Sequence, residues 1–150
     1  MMNINPKTEL KKGRSALKYV ISNKKDRINA FRNPDFGFIS LIYGNSGKQI
    51  NNFKGGFGIS HIIAKRDYED NLECADFYKK HHRYPKRLCS GEFVAYKLID
   101  VVINGKIIKT VESKKTVHMI KDGYEAILSL DMNGTSLTWI ITGYKIKKGL

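Results

Sequence analysis

The stretch TVHMIKDGYEAILSLDMNGTSLTWIITGY, Thr116 to Tyr144, decides the fold class. Three short runs, 116–120, 124–130 and 137–144, are rich in β-branched, aromatic and aliphatic residues. Lys121-Asp122-Gly123 and Asn133-Gly134 separate them. Asp-Gly and Asn-Gly supply the positive φ angles that tight hairpin turns need, so the runs form an antiparallel meander. A fourth short run, 106–109, precedes them and extends it.

Upstream the period changes. Leu10, Ala16, Leu17, Val20 and Ile21 leave one apolar stripe on a basic helix over 9–22, which the Asn23-Lys24-Lys25-Asp26 cluster ends. Ile28 and Ala30 lead into Asn33-Pro34-Asp35, and 36–43 is dense in β-formers, which predicts a hairpin around a Pro-Asp turn. Residues 44–54 form a polar loop. Beyond Gly55-Gly56-Phe57-Gly58, residues 59–66 read as a helix that continues with alternating charge toward Lys80, before a basic loop over 81–87. Ser90 and Glu92 open a further helix across Phe93, Val94, Leu98, Ile99, Val101 and Val102, stopping near Asn104-Gly105. Helices first and a meander last give an α+β class: N-terminal helices packed on a four-to-five-stranded antiparallel sheet, in a single domain over 1–150.

Composition narrows the function. Of 150 residues 41% are hydrophobic, enough for a true core, and 27 Lys and Arg against 14 Asp and Glu leave a net charge of +13. That excess predicts attraction to polyanions: nucleic acid, an anionic membrane or an acidic protein. No apolar run reaches the roughly 18 residues of a membrane span. The polar first ten residues lack a signal-peptide core, so the expected site of action is the cytoplasm. Two cysteines, Cys74 and Cys89, make neither a disulfide framework nor a zinc quartet.

The densest chemical signal is GGFGISHIIAKR, 55–66. Its glycines let backbone come close to a bulky ligand, and the helix N-terminus behind them offers unpaired N–H groups and partial positive charge. His61 sits in that first turn, where imidazolium is disfavoured, and Lys65 shares its helical face. Near the other end, Thr142 and Tyr144 project from one face of a strand and could hold a phosphate or stack on a base. The run KKHHRYPKR interleaves Lys79, Lys80, Arg83, Lys86 and Arg87 with Tyr84, a mixture suited to phosphate contact and stacking. A glycine turn, a capping histidine, ordinary strand composition and a solvated charge run would explain the same features without function. His118, in an apolar strand, reads as structural or as a second proton-transfer group. No spacing of His and Cys suggests a metal site, and no cofactor is implied.

Taken together, the order of helix, FGFISLIYG hairpin, Gly-x-Gly-x-x-His-Ile helix, third helix, meander and terminal Thr-x-Tyr resembles the phage-associated nucleases of the barnase–EndoU–colicin–RelE-like superfamily. The resemblance runs from about Leu10 to Lys147. It implies a metal-independent ribonuclease, a toxin or toxin-like domain in which His61 matches the catalytic histidine and Thr142 and Tyr144 match the late hydroxyl pair. Lys65 and Arg66 match the basic residues after His-Ile-Ile. Members often carry His near position 66, so Arg66 is either catalytic or a phosphate contact. The implied chemistry is attack by the RNA 2′-OH, with tRNA the first substrate class expected and an acidic immunity or antitoxin protein as partner. Delivery from another cell would fit as well as residence. A non-catalytic RNA- or DNA-binding module, and a scaffolding domain of a mobile element, are the competing readings.

Overall fold

A computed structural model describes residues 4–85 and 90–146. Helix α1, Pro6–Asn23, starts where the Asn5 side chain accepts the Lys7 and Thr8 N–H groups, with proline in the first turn. Strands β1, Arg27–Asn33, and β2, Gly37–Leu41, form the expected hairpin. Its turn is fixed by Asn33, whose Oδ1 accepts the Asp35 and Phe36 N–H groups at 2.6 and 2.9 Å. Helix α2, Gly58–His81, runs without a break to its last basic turn, so the charge-alternating segment expected to pass from helix into loop is helical throughout. Helix α3, Gly91–Asn104, is capped by Ser90. Strands β3, Lys106–Val111, β4, Thr116–Lys121, β5, Tyr124–Met132, and β6, Thr135–Lys145, complete the chain as an antiparallel meander.

The class is α+β, and the sheet has six strands in the order β1-β2-β6-β5-β4-β3, more than the four to five expected. The excess arises because the N-terminal hairpin joins the meander. β2 pairs with β6 in parallel at Ser40 and Trp139, while the other neighbours are antiparallel.

Helix α3 is the inner element. Val94, Leu98, Ile99 and Val102 are buried against Val117, Met119, Ala126, Leu128 and Ile140 of the meander, and α1 adds Leu17 and Val20. Full burial of a Leu or Ile side chain contributes about 1.5–3 kcal/mol, so α3 anchors the sheet. Helix α2 contributes Ile59 and Ile62 from its first turns only, and beyond Asp70 most of its surface is exposed. Strand alternation divides the sheet. A side chain at Gly143 would strike Leu98 of α3, so Glu125, Thr142 and Tyr144, which share the other parity, lie on the face away from it.

Candidate active site

The segment from Gly44 to Gly58 and the start of α2 form one backbone unit. Asn45 and Phe57 exchange N–H···O bonds at 3.0 and 2.8 Å. The Ile59 and Ser60 N–H groups donate to the carbonyls of Ile42 and Tyr43 at 2.9 and 2.8 Å. These first helical donors, expected to be free for a ligand, are therefore used to seat α2 on the end of the hairpin. The glycines also serve the unit's own packing. Gly58 has φ +80°, and a Cβ there would lie 2.5 Å from the Ile42 oxygen. A Cβ on Gly56 would lie 2.3 Å from His61 Nδ1. Gly56 thus lets the loop come against His61, and Gly55 and Gly56 line the cleft beside it.

His61 is 8% exposed, and its Nδ1 lies 3.1 Å from the Ser46 carbonyl oxygen. A carbonyl only accepts, so Nδ1–H is the donor and Nε2 carries the lone pair. Burial pulls the imidazole below its ordinary value, the Ser46 bond partly opposes this, and the Lys65 and Arg66 charges lower it further. At neutral pH the ring is an uncharged acceptor. It opens on a cleft of about 410 Å³ whose walls come from residues 51–56 and whose cations are Lys54 and Lys65. Tyr68, one further turn along that helical face, sets its ring 5.6 Å from Phe53 and braces the wall.

A second polar group occupies the sheet face away from α3. Glu125 and Tyr144 are register partners, and the carboxylate hydrogen-bonds the phenol. The same carboxylate lies 2.8 Å from His118 Nδ1. Desolvation first, then the Glu125 hydrogen bond and its charge, raise the Tyr144 phenol above its usual value, and Arg66 works the other way. The Arg66 guanidinium stands 5.7 Å over the Tyr144 ring and pairs with Glu69. Arg66 Nε and Thr142 Oγ1 are buried polar atoms without a hydrogen-bond partner, a state uncommon in folded proteins.

The sequence candidates thus fall into three places. His61 and Lys65 share the cleft. Arg66, about 140° round the helix from His61 at 100° per residue, joins Tyr144 instead. Thr142 lies on the same sheet face as Tyr144, and no hydrogen bond among the described residues links that face to His61. Lys79, Lys80 and Arg83 lie at the far end of α2, about 27 Å along the axis from His61. There Tyr78 and Tyr84 stack at 4.8 Å, Arg83 sits 5.5 Å over Phe77, and Lys80 pairs with Asp76. Lys86, Arg87 and Cys89 lie outside the described residues.

Sequence reasoning missed Glu125 and Ser46. Glu125 had a signal, a lone carboxylate inside the apolar run YEAILSL, whereas Ser46 acts through its backbone carbonyl and had none. Among the described residues no three His, Cys, Asp or Glu side chains converge as metal ligands would, and no helix is long and apolar enough to cross a membrane.

A family model described as phage-Barnase-EndoU-ColicinE5/D-RelE like nuclease1 matches residues 30–150, from within β1 to the last residue. No curated protein and no solved structure matches.

Proposed function

The chain belongs to the phage Barnase–EndoU–ColicinE5/D–RelE-like nucleases, and we propose that it cuts RNA by directing the substrate's own 2′-OH at the adjacent phosphorus. The observation that carries this reading is His61: a buried, neutral imidazole, tautomer set by Ser46, beside Lys65 in a cleft. Nε2 takes the 2′-OH proton, the O2′–P bond forms, and the P–O5′ bond breaks. With the scissile phosphate set between the cleft and the Arg66–Tyr144 cluster, the leaving O5′ takes the Tyr144 phenol proton, which the raised phenol retains at neutral pH. The products are a 2′,3′-cyclic phosphate and a 5′-OH end. Lys65 and Arg66 carry charge for the non-bridging oxygens, and Thr142, with its unused hydroxyl, adds a phosphate contact. The nucleophile is part of the substrate, so this route acts on RNA and spares DNA.

Support for a single-stranded RNA substrate comes from the exposed half of α2. There the stack of Tyr78 on Tyr84, just past the helix end, lies beside Lys79, Lys80 and Arg83 and offers π-faces and cations together. An RNA-cutting chain of this charge fits a toxin acting on cytoplasmic RNA, with tRNA the first substrate to test. The +13 charge suits an acidic immunity or antitoxin partner.

The test is cleavage of total bacterial RNA with EDTA present, the fragment ends read chemically. Discrete fragments ending in 2′,3′-cyclic phosphate are expected. Cleavage that EDTA stops, or 3′-OH ends, would refute the route. RNA bound but uncut would return His61 to a helix-terminal structural role.

Glu125 is the positioning residue of this scheme. Glu125→Gln removes the charge that helps raise the phenol and loosens His118. Activity requires the protonated phenol, so the alkaline limb of the pH–rate profile moves to lower pH. The rate at neutral pH falls about 10-fold with KM little changed, as expected when an acid is mispositioned rather than removed. An unmoved alkaline limb would detach Glu125 from the chemistry.

A further inference from the structure

A groove of about 480 Å³ separates α1 from β1 at the sheet edge, apart from both polar clusters. Thr8, Lys11, Lys12 and Ser15 line it from α1, Arg27 lines it from β1, and alanines form its floor. The four α1 residues recur at i, i+3, i+4 and i+7, so hydroxyl, two ammoniums and hydroxyl form one stripe about 10 Å long. Leu17 and Val20 serve the core from another stripe of the helix.

Two of the cations have partners that hold them. Glu9, only 1% exposed, accepts the Arg32 N–H at 2.7 Å and places its other oxygen 3.6 Å from Lys12 Nζ. The Arg27 guanidinium lies 4.9 Å over the Tyr19 ring. The groove is also close to the cleft in topology. Arg27 pairs with Leu41, and the next two residues, Ile42 and Tyr43, offer the carbonyls that seat the first turn of α2.

We propose that this groove is a phosphate-binding exosite that holds the backbone of the RNA strand on one side of the scissile bond; the proposal rests on the ribonuclease reading. Every polar side chain lining it can donate a hydrogen bond, and no carboxylate lines it. A phosphodiester chain needs charges and donors at intervals and nothing more. An acidic protein partner would also want an apolar or aromatic anchor at its centre, and alanine supplies little of that. Thr8 to Arg27 precede the matched residues 30–150, so the groove's charged side chains lie outside the stretch that the family model matches.

The experiment measures binding of a labelled single-stranded RNA of about 20 nucleotides to the full chain carrying His61→Ala, across a salt series. Neutralising three phosphate contacts, as K11Q/K12Q/R27Q, lowers the salt slope by about 2 and weakens affinity by about 10- to 100-fold at ~0.1 M salt. The charge-conserving K11R/K12R/R27K retains binding. K106Q/K109Q/K114Q, the same charge removed from the opposite sheet edge, weakens it far less. Equal losses from the two neutral triples, or no loss from the first, overturn the exosite. So does a first triple that loses only a polyglutamate ligand, which would make the groove a protein-docking surface. The two readings separate cleanly. RNA that the wild-type chain leaves uncut, but whose binding depends on the first triple, sinks the ribonuclease and leaves an RNA-binding groove; RNA that the wild type cuts, but whose binding ignores the triple, sinks the exosite alone.

Discussion

His61→Ala lowers the rate of RNA cleavage by about 10³- to 10⁴-fold, the upper range for loss of a general base, with less effect on RNA affinity. The expectation follows from a ring held in one tautomer by Ser46 and kept neutral by burial and two cations. The wild-type pH profile carries the same signature. Protonated imidazole cannot accept a proton, and its value in the fold lies below the ordinary 6.5, so the acid limb falls beneath pH 6.5. Stability follows the same sign. Between the folded value and 6.5 the unfolded chain binds more protons, so the contribution is complete above 6.5 and declines as pH falls through the folded value. His61→Ala removes both dependences. A variant that keeps the acid limb and most of the rate would assign the base elsewhere.

Gly56→Ala produces the second large effect, a loss of about 10²-fold in rate, the cost of displacing a reacting group by about 1 Å. Its new methyl would lie 2.3 Å from His61 Nδ1 and 2.6 Å from the Ser46 oxygen, so the bond that orients the ring must break. Gly55→Ala is the matched control. Gly55 has φ +82° but nothing within 4 Å of its Cβ position, so alanine there strains the backbone by about 1–3 kcal/mol and leaves the ring in place. Thermal melts and single-turnover rates on the pair separate the effects. Gly55→Ala lowers Tm more than rate, and Gly56→Ala lowers rate more than Tm. The opposite ranking would mean that the loop's conformation, rather than its distance from His61, sets activity.

Much of the fold was legible because its signals are local. Asp-Gly and Asn-Gly placed the meander turns, Asn33-Pro34-Asp35 placed the hairpin, and Ser90 marked the start of α3. What escaped depends on distant partners. The seam between Ser40 and Trp139 joins segments a hundred residues apart, and no turn residue announces it. The far half of α2 hid behind weak apolar periodicity, since a helix that leaves the core has no buried stripe to show. At the site, His61, Lys65, Arg66, Thr142 and Tyr144 were all visible as residue types. Their division between a cleft and a sheet face was not, because Arg66 and Lys65 are neighbours in sequence but turn to different surroundings on a helix. The glycines matter for the absence of a side chain: Gly56 brings the loop against His61, and Gly55 and Gly56 line the cleft.

The parallel seam has one more consequence. Trp139 is the only tryptophan in the chain, it sits in the single β2–β6 pair, and its ring meets Phe57 edge-on at 5.8 Å. Phe57 immediately precedes the helix that carries His61, while β6 carries Tyr144. Tryptophan fluorescence from this molecule, excited selectively over its tyrosines, is therefore no average over many sites. It is a local optical gauge at the joint between the element bearing the base and the strand bearing the phenol, with no label required.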